Sequence, residues 1–479
     1  MSWAEVYPWR EPAAGGPVIR QVYDQVRSAI HDGALKPGGR LPSSRDLALR
    51  LGVARTSVVA AYDQLVAEGY AESRRGSGAY VSADLSGVID LKAPAPAVDP
   101  PPLSAPPGRS PFSPSSPVAR PFSNGRTLMD ARAIDAWLKS TRRALRTLDP
   151  AHFGYSEPEG DMRLRIAVAD YLRAARGVVC HPDQVIITTG AQQAADLSLR
   201  LLLKPGDRVW IEDPGYPPTR FALAAAGVRL TPVPVDRHGL VVSAGIAAAP
   251  DARAAFVTPS HQYPLGVALS MGRRLELIAW ARAAGAWIIE DDHASEFRFA
   301  GAPLPSLQGL EGGERVIYAG TFNKAIFPGL RLGYLVAPRA LVHAMAETRR
   351  LADRQPSTLT QAIAVDFLES GQFAAHIRRR RLAYKVQRDT LASALHRRLG
   401  HILEPNVPDQ GMHLVAYLKD GRSDLEAELK AEAKGLVARA ISPLYQEAKP
   451  RTGLILGFTG FRPNAMDDGV ARLAAALGD

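Results

Sequence analysis

A lysine in a loop between two apolar segments is the residue with the clearest capacity for chemistry. Lys324 lies in the run GTFNKAIFPGLRLGYLV at residues 320–336, with Thr321 three positions before it and Arg331 seven after it. The amine of a lysine placed there can form a Schiff base with an aldehyde. The side chains of Thr321 and Arg331 can hold an anion. Taken singly, such a lysine is more often part of a solvated surface, so the assignment depends on its companions.

A carboxylate earlier in the chain is the first companion. Asp291 follows the apolar run AWIIE, 33 residues before Lys324. A buried carboxylate is costly unless it meets a cation, and a protonated ring nitrogen would supply one. The alternatives are a helix cap and an ion pair with Arg298. An aldehyde, an anion and a pyridinium nitrogen together describe pyridoxal 5′-phosphate (PLP), so we predict that cofactor and no metal ion.

Two further features fit a flat, phosphorylated ring. Gly190 separates an apolar run from a predicted helix, so the backbone amides of Ala191 and Gln192 are expected to cradle a phosphate. Many loops between a strand and a helix have this form, so the signal is weak alone. Tyr216, in EDPGYPP, can stack on a ring or can simply be packed loop structure, and the sequence does not decide between them.

The elements that must position these residues follow from seven apolar runs separated by helical or turn-rich sequence. Continuous apolar strands between helices indicate an α/β fold with a largely parallel, buried sheet. Such sheets bind ligands at the carboxyl ends of their strands, and polar clusters follow four of the runs. The seven runs are QVIITTG, DRVWIED, VRLTPVPV, AAFVTPS, AWIIEDD, RVIYAGT and LGYLVAP.

The N-terminal part of the chain has a different pattern. Apolar spacing and capping residues predict three helices, and YAESRRGSGAYVS predicts a β-hairpin around Gly76. This order is a winged helix-turn-helix, whose third helix enters the major groove of DNA by its N-terminal end. Arg55, Thr56 and Ser57 stand at that end, and Arg45 opens the second helix. The alternative is a three-helix packing module with solvated arginines.

Composition limits the class of protein and the partners that are possible. The chain has 479 residues, a single cysteine and a formal net charge of +10, which permits an anionic partner such as DNA. Eleven prolines within residues 92–121 indicate an extended linker. We therefore expect a DNA-binding domain at 16–82, a linker at 83–125 and an effector domain at 126–479. Without disulfides, a signal peptide or an apolar span, we expect a cytoplasmic protein with no membrane contact.

A specific resemblance supports the N-terminal assignment. The run GGRLPSSRDLALRLGVARTSVVAAYDQLVAEGYAESRRGSGAYV is similar to the GntR-type DNA-binding domain through nearly its whole length. The resemblance implies dimeric binding to double-stranded operator DNA. The positions that match DNA-contacting residues of that family are Arg45, Arg55, Thr56, Ser57, Arg75 and Gly76.

The large unit resembles class I aminotransferases of fold type I, with a mainly parallel sheet flanked by helices. The resemblance implies that Lys324 forms the internal aldimine, that Asp291 meets the pyridine nitrogen and that Tyr216 stacks on the ring. The residues that would hold the phosphate are Thr321, Arg331, Ala191 and Gln192. The two domains in one chain, with the runs TPSHQYPLG, EDDHASEFRF and FPGLRLGYLV, resemble the MocR/GabR group of transcription regulators.

The chain departs from the family pattern beside the two key residues. His293 stands where the family usually has a tyrosine that bonds the phenolic oxygen of the cofactor. An imidazole can donate the same bond, with a changed proton affinity of the aldimine. Asn323, before Lys324, replaces a usual serine and is expected to remove one phosphate contact.

A third departure concerns the substrate carboxylate, which aminotransferases bind with an arginine on a late strand. In RTGLILGFTGF the matching position is Ile455, flanked by Arg451 and Arg462. We therefore expect a PLP-dependent, homodimeric regulator that senses PLP or an amino compound captured by it, with no catalytic residue. The alternatives are an aminotransferase that carries a DNA-binding domain and a scaffold that only dimerises.

Overall fold

The computed structural model describes residues 7–13, 15–74, 76–85, 120–302, 304–419 and 421–478. The chain divides between residues 110 and 111 into two compact units, and each is described by itself. Among the described helices, none has both the length and the apolar character that crossing a bilayer requires.

The N-terminal unit contains the three helices and the hairpin that the sequence predicts. Its elements are α1 (Val18–His31), α2 (Ser44–Leu51), α3 (Arg55–Ala67), β1 (Ala71–Arg74) and β2 (Gly78–Val81). The hydroxyl of Ser43 caps α2 by accepting the amide of Asp46 at 3.1 Å. Gly52 ends that helix in the left-handed region, with φ 63°. The strands pair in antiparallel register, so the winged helix-turn-helix is confirmed.

The large unit alternates strands and helices over most of its length. Its strands are β3 (Val185–Thr188), β4 (Arg208–Asp213), β5 (Arg229–Asp236), β6 (Gly239–Leu240), β7 (Ala254–Val257), β8 (Trp287–Asp292), β9 (Val316–Thr321), β10 (Gly333–Val336), β11 (Leu403–Asn406), β12 (His413–Leu418), β13 (Arg439–Ala440) and β14 (Gly453–Gly457). Its helices are α4 (Ala131–Arg146), α5 (Met162–Arg176), α6 (Ala191–Leu202), α7 (Pro217–Ala225), α8 (Val242–Ala248), α9 (Met271–Ala284), α10 (Phe322–Ala325), α11 (Val342–Asp353), α12 (Thr358–Glu369), α13 (Gln372–Leu399), α14 (Asp424–Ala433) and α15 (Pro463–Leu477).

The main sheet has eight strands in the order β3-β10-β9-β8-β7-β4-β5-β6. The central strands β9, β8, β7, β4 and β5 are parallel, while β10 is antiparallel to both of its neighbours. Because β10 is antiparallel to both β3 and β9, those two strands point in the same direction. The carboxyl ends of β3, β4, β7, β8 and β9 therefore meet at one edge of the sheet. All seven predicted runs are strands of it, which confirms the α/β class.

Several apolar clusters hold helices against this sheet, and two of them are the largest. In one, the indole rings of Trp210 and Trp280 stack with centroids 3.7 Å apart, and both side chains are buried. The other extends from the sheet to α13 and to a second, antiparallel sheet in the order β11-β12-β14-β13. The buried strands and their helices thus form a rigid base on which the loops at the sheet edge are fixed.

Residues at the predicted end of the linker pack against the large unit. Phe122 is fully buried, and its carbonyl accepts the amide of Gly457 at 2.9 Å. The carbonyl of Pro121 accepts the amide of Val437 at 3.0 Å. The sequence assigns both residues to the linker, whereas these contacts join them to the second sheet. Residues 86–119 of the predicted linker lie outside the described part of the chain.

Candidate functional site

The loop after β9 presents Lys324 at the edge of the sheet. The hydroxyl of Thr321 accepts the amide of Asn323 at 3.1 Å and so starts the single turn of α10 that carries Lys324. The Lys324 amine is partly buried, 3.5 Å from the carbonyl oxygen of Gly125. Burial lowers the pKa of Lys324, while the carboxylate of Asp291 acts in the opposite direction. A larger fraction of the amine is therefore neutral, which is the nucleophilic form.

Asp291 lies near the end of β8 and close enough to Lys324 for the two charges to interact. Burial, followed by the carboxylates of Asp292 and Glu212, raises the pKa of Asp291 to about 7. Its Oδ1 atom is buried and has no hydrogen-bond partner among the described residues. The predicted alternative of an ion pair with Arg298 is wrong, because that guanidinium donates to Gln410 at 3.2 Å. A buried carboxylate oxygen without a partner is a site for a cation or a donor.

Tyr216 lines the same cleft as Asp291. The cleft is open to solvent and lies between α7 and the ends of β4 and β7, with about 440 Å³ of space that includes its mouth. The ring of Tyr216 is 42% exposed and meets Tyr263 edge-on, with centroids 5.2 Å apart. Burial and the charge of Asp291 raise the pKa of Tyr216 to about 12, so the phenol stays neutral. The structure thus brings Tyr216 and Asp291 together, and it adds Tyr263, which the sequence analysis did not single out.

The start of α6 adjoins the loop that carries Lys324. Gly190 caps this helix with φ 142°, and a Cβ there would lie 2.6 Å from the side-chain nitrogen of Asn323. Only glycine permits this approach. Within the described part of the chain, the amides of Ala191 and Gln192 have no hydrogen-bond acceptor. Free amides at a helix N-terminus attract an anion, and here they stand beside Thr321.

Asn323 joins the loops around this helix end. Its side-chain nitrogen donates to the carbonyl of Thr189 at 2.9 Å, and its side-chain oxygen accepts the amide of Leu332 at 2.9 Å. Asn323 therefore positions these two loops, and the loss of a phosphate contact at this position stays a prediction. Arg331 is exposed next to Leu332 and takes the left-handed region with φ 52°. Its guanidinium contacts no polar group of the described residues, so it is available to an anion at the edge of the site.

Two histidines, His293 and His413, interact electrostatically with Lys324, and His261 packs against both. The ring centroid of His261 is 6.1 Å from that of His293 and 5.0 Å from that of His413. Burial lowers the pKa of His293 to about 4, with Lys324 contributing in the same direction and Asp292 opposing it. His293 is therefore a neutral imidazole near pH 7, with one N–H to donate. Sequence reasoning missed His413, which comes from the second sheet with no spacing that links it to Lys324.

None of the three residues considered for a ligand carboxylate lines the cleft. Ile455 is buried in β14, Arg451 stacks 3.5 Å from the ring centroid of Tyr417, and Arg462 is exposed before α15. Arg220 of α7 does line the cleft, and no described residue accepts a hydrogen bond from its side chain or pairs with its charge. The neighbouring carboxylate of Asp213 is already engaged, because it accepts three backbone amides of residues 446–448 at 2.7–2.8 Å.

The N-terminal unit places its predicted DNA-contacting residues at the starts of α2 and α3 and in the wing. Arg45, Arg55 and Thr56 are exposed, and Ser57 is half-buried. The Arg55 Nε donates to the hydroxyl of Ser44 at 3.1 Å, which orients the guanidinium across the front of α2 and α3. In the wing, Gly76 takes φ 75°, which a tight turn requires. Arg75 lies outside the described residues.

Comparison with known proteins connects both units to families. The profile "Aminotransferase class I and II" matches residues 122–451, and "Bacterial regulatory proteins, gntR family" matches residues 18–81. The probable rhizopine catabolism regulatory protein MocR of Rhizobium meliloti is 37% identical over 96% of this chain and 94% of its own. The pyridoxine biosynthesis regulator PdxR of Corynebacterium glutamicum is 36% identical over 91% of each chain.

The chain belongs to the MocR/GabR group of transcription regulators. Its large unit has the fold of the α-aminoadipate aminotransferase LysN from Thermus thermophilus, with a TM-score of 0.68 and 27% identity. The alignment covers 74% of this MocR-type chain and 91% of LysN, whose structure holds N-(5′-phosphopyridoxyl)-L-leucine. The sequence-based family and fold assignments are therefore confirmed.

Proposed function

We propose that this MocR-type regulator binds PLP in its large unit and that occupancy of the site controls binding of operator DNA by its N-terminal unit. The observation that carries the proposal is the unpartnered Oδ1 of Asp291 near the amine of Lys324, whose pKa is lowered by burial. When bound, PLP supplies an aldehyde carbon that condenses with a primary amine. The amine of Lys324 would meet the aldehyde, and the carboxylate of Asp291, which lacks a cation in the described chain, would meet the ring nitrogen.

The remaining residues complete a site for the ring and its phosphate. Tyr216 would cover one face of the ring, and His293 would donate to its phenolic oxygen. Backbone amides and a hydroxyl would replace water as hydrogen-bond donors to the phosphate, and a guanidinium would contribute the positive charge. The residues proposed for the phosphate are Ala191, Gln192, Thr321 and Arg331.

The effector that fits this site best is PLP itself. An amino-acid effector needs a cation for its carboxylate, and Ile455 places an apolar side chain where aminotransferases have an arginine. The name of the relative PdxR, a regulator of pyridoxine biosynthesis, supports control of vitamin B6 metabolism. An amino compound captured by the bound cofactor is the second candidate, favoured by Arg220 in the cleft.

Binding and its chemistry can be tested together. PLP is titrated into the wild type and into Lys324→Ala, with visible absorbance as the first readout. Reduction by borohydride, followed by peptide mass analysis, is the second. We expect an absorbance change and a reduced adduct on Lys324 in the wild type alone. An adduct spread over other lysines with Lys324 unmodified would contradict the proposal.

We further propose that the regulator is a homodimer. Phe153, Tyr155 and Leu351 are 73%, 79% and 87% exposed, and Arg354, three residues after Leu351, stacks 3.8 Å from the ring centroid of Tyr155. Large exposed apolar patches mark interaction surfaces. Light scattering should give twice the chain mass for the wild type and a lower mass for Leu351→Arg. A monomeric wild type would contradict this arrangement.

We propose sensing in place of sustained transamination. Turnover depends on a fixed orientation of the substrate, and the apolar Ile455 offers its carboxylate no anchor. The purified protein, loaded with PLP and given amino acids with a keto acid, should release product far more slowly than an aminotransferase assayed beside it. Rapid, repeated turnover would instead support the enzyme alternative.

A further inference from the structure

The excess positive charge of the chain is concentrated on two helices of the large unit. Residues 16–82, which contain the DNA-binding elements, have nine basic and six acidic residues. Helix α4 alone has five basic residues and one acidic residue, and α13 has eight basic residues and one acidic residue. Neither helix contributes to the cleft described above, so the proposed cofactor does not account for this charge.

On α4 the cations form one stripe. The buried side of the helix consists of small residues, Ala133, Ala136, Ser140 and Ala144. Arg132, Lys139, Arg142 and Arg146 recur at intervals of three, four and seven residues, and all four are exposed. That spacing keeps them on one outer face. At 1.5 Å per residue the stripe is about 21 Å long, the span of about six phosphates along one DNA strand.

Helix α13 extends the stripe at the Arg132 end. The charges of Arg132, Arg378 and Arg380 each lower the pKa of Arg379, after burial as the largest cause, which places these guanidinium groups close together. Two acidic groups are nearby, and both are committed. Asp130 pairs with Arg380 and caps α4 through the amide of Ala133, and Asp135 pairs with Lys139 at 2.8 Å. The Nε of Arg379 is buried without a hydrogen-bond partner in the described chain.

We define the basic ridge as Arg132, Arg142, Arg146, Arg378 and Arg379. None of the five has an ion pair or a side-chain hydrogen bond with any residue that the structure describes, whereas the other cations of both helices mostly have one, as Arg143 does with Asp366 at 2.6 Å. Clustered cations without counter-charges suit a polyanion with regularly spaced charges.

We propose that the basic ridge binds the phosphate backbone of DNA that flanks the operator, without reading its sequence. The inference rests on the proposed function, in that it requires a regulator that binds DNA. It assigns base recognition to the N-terminal unit and part of the electrostatic affinity to the large unit. Contacts to phosphates position a protein on the duplex and carry no sequence information directly.

The test compares two triple variants of the full chain. The ridge variant is Arg132→Gln/Arg142→Gln/Arg378→Gln, and the matched control neutralises three arginines of the large unit that are also exposed, Arg229, Arg237 and Arg253. Fluorescence anisotropy measures binding to a duplex limited to the operator, to an operator with long flanks and to a scrambled long duplex, each over a series of salt concentrations.

We expect the ridge variant to bind both long duplexes more weakly, and by a similar factor. The slope of log affinity against log salt should decrease by about 0.9 for each phosphate that the variant no longer neutralises, and so by about 1 to 3 in all. Binding to the short duplex and to PLP should not change, and the control variant should match the wild type throughout.

Two results would overturn the inference. One is a ridge variant whose affinities and salt slopes on long DNA equal those of the control. The other is a change of oligomeric mass by light scattering, which would make the ridge a contact between subunits. Failure of the wild type to prefer operator over scrambled DNA would instead contradict the proposed function, and the ridge would still be tested on the scrambled duplex.

Discussion

The pKa of Asp291 leads to a quantitative prediction for cofactor binding. Burial and two neighbouring carboxylates raise this pKa to about 7, so the ionised fraction is about one-tenth at pH 6 and about nine-tenths at pH 8. Only the ionised form neutralises a pyridinium nitrogen. The contribution of Asp291 to PLP affinity should therefore increase about tenfold over this range, or about 1.4 kcal/mol. Replacement by Asn, which cannot ionise, should remove that increase.

The measurement needs a background in which Lys324 does not titrate. We would compare Lys324→Ala with Lys324→Ala/Asp291→Asn, and measure non-covalent binding of PLP by equilibrium dialysis at pH 6 and pH 8. Titrations of PLP away from its ring nitrogen cancel in the ratio of the two affinities. Because the charge of Lys324 lowers the pKa of Asp291, its removal raises that pKa further. The ratio should then change by tenfold or more.

Two outcomes would refute this reasoning. If the ratio of affinities is the same at pH 6 and pH 8, Asp291 does not change its ionisation in this range. If the Asn variant binds PLP at pH 8 as tightly as its parent, Asp291 does not meet the ring nitrogen, and the orientation proposed for the cofactor is wrong.

Three other substitutions test separate parts of the structure. Gly125→Ala adds a Cβ that overlaps the amine of Lys324, at a residue with φ 69°. It should cost about 1–2 kcal/mol of stability and abolish the PLP-dependent absorbance change. An unchanged PLP titration would contradict the placement of the amine. Arg55→Ala should lower discrimination between operator and scrambled DNA by about 1–3 kcal/mol in anisotropy, whereas equal weakening on both would show a phosphate contact only. In the wild type, the carboxylate of Asp292 lies 2.7 Å from the guanidinium of Arg176, and Arg176→Met leaves it buried without a cation. Urea unfolding should show that the free energy of unfolding falls by about 3–5 kcal/mol. An unchanged unfolding midpoint would contradict the ion pair.

The strands of the main sheet were predictable because each is a continuous apolar run. QVIITTG and AWIIEDD, for example, became β3 and β8, buried on both faces of the sheet. The reversed direction of β10 was not predictable, since periodicity does not encode the direction of a strand. The second sheet was also missed. β11 has the sequence LEPN, whose proline and polar residues do not resemble a strand pattern.

The sequence predicted the site residues whose role follows from their type. It did not predict those whose role depends on packing between distant parts of the chain. Lys324 and Asp291 were singled out because an amine and a carboxylate that both follow strands rarely have purely structural roles together. Gly125 and Arg220 carried no such signal. Gly125 acts through its carbonyl and its lack of a Cβ, and Arg220 is unpaired among the described residues because Asp213 accepts backbone amides instead. Ion pairing with Arg298 was plausible by proximity in sequence, but its side chain faces Gln410.

The central claim is that occupancy of the Lys324 site controls DNA binding. The direct measurement is the affinity of the full chain for the intergenic DNA upstream of its own gene, with and without PLP, for the wild type and for Lys324→Ala. We predict specific binding by both proteins, with an affinity that PLP changes in the wild type and leaves unaltered in the variant. Specific binding that PLP does not affect in either protein would contradict the claim.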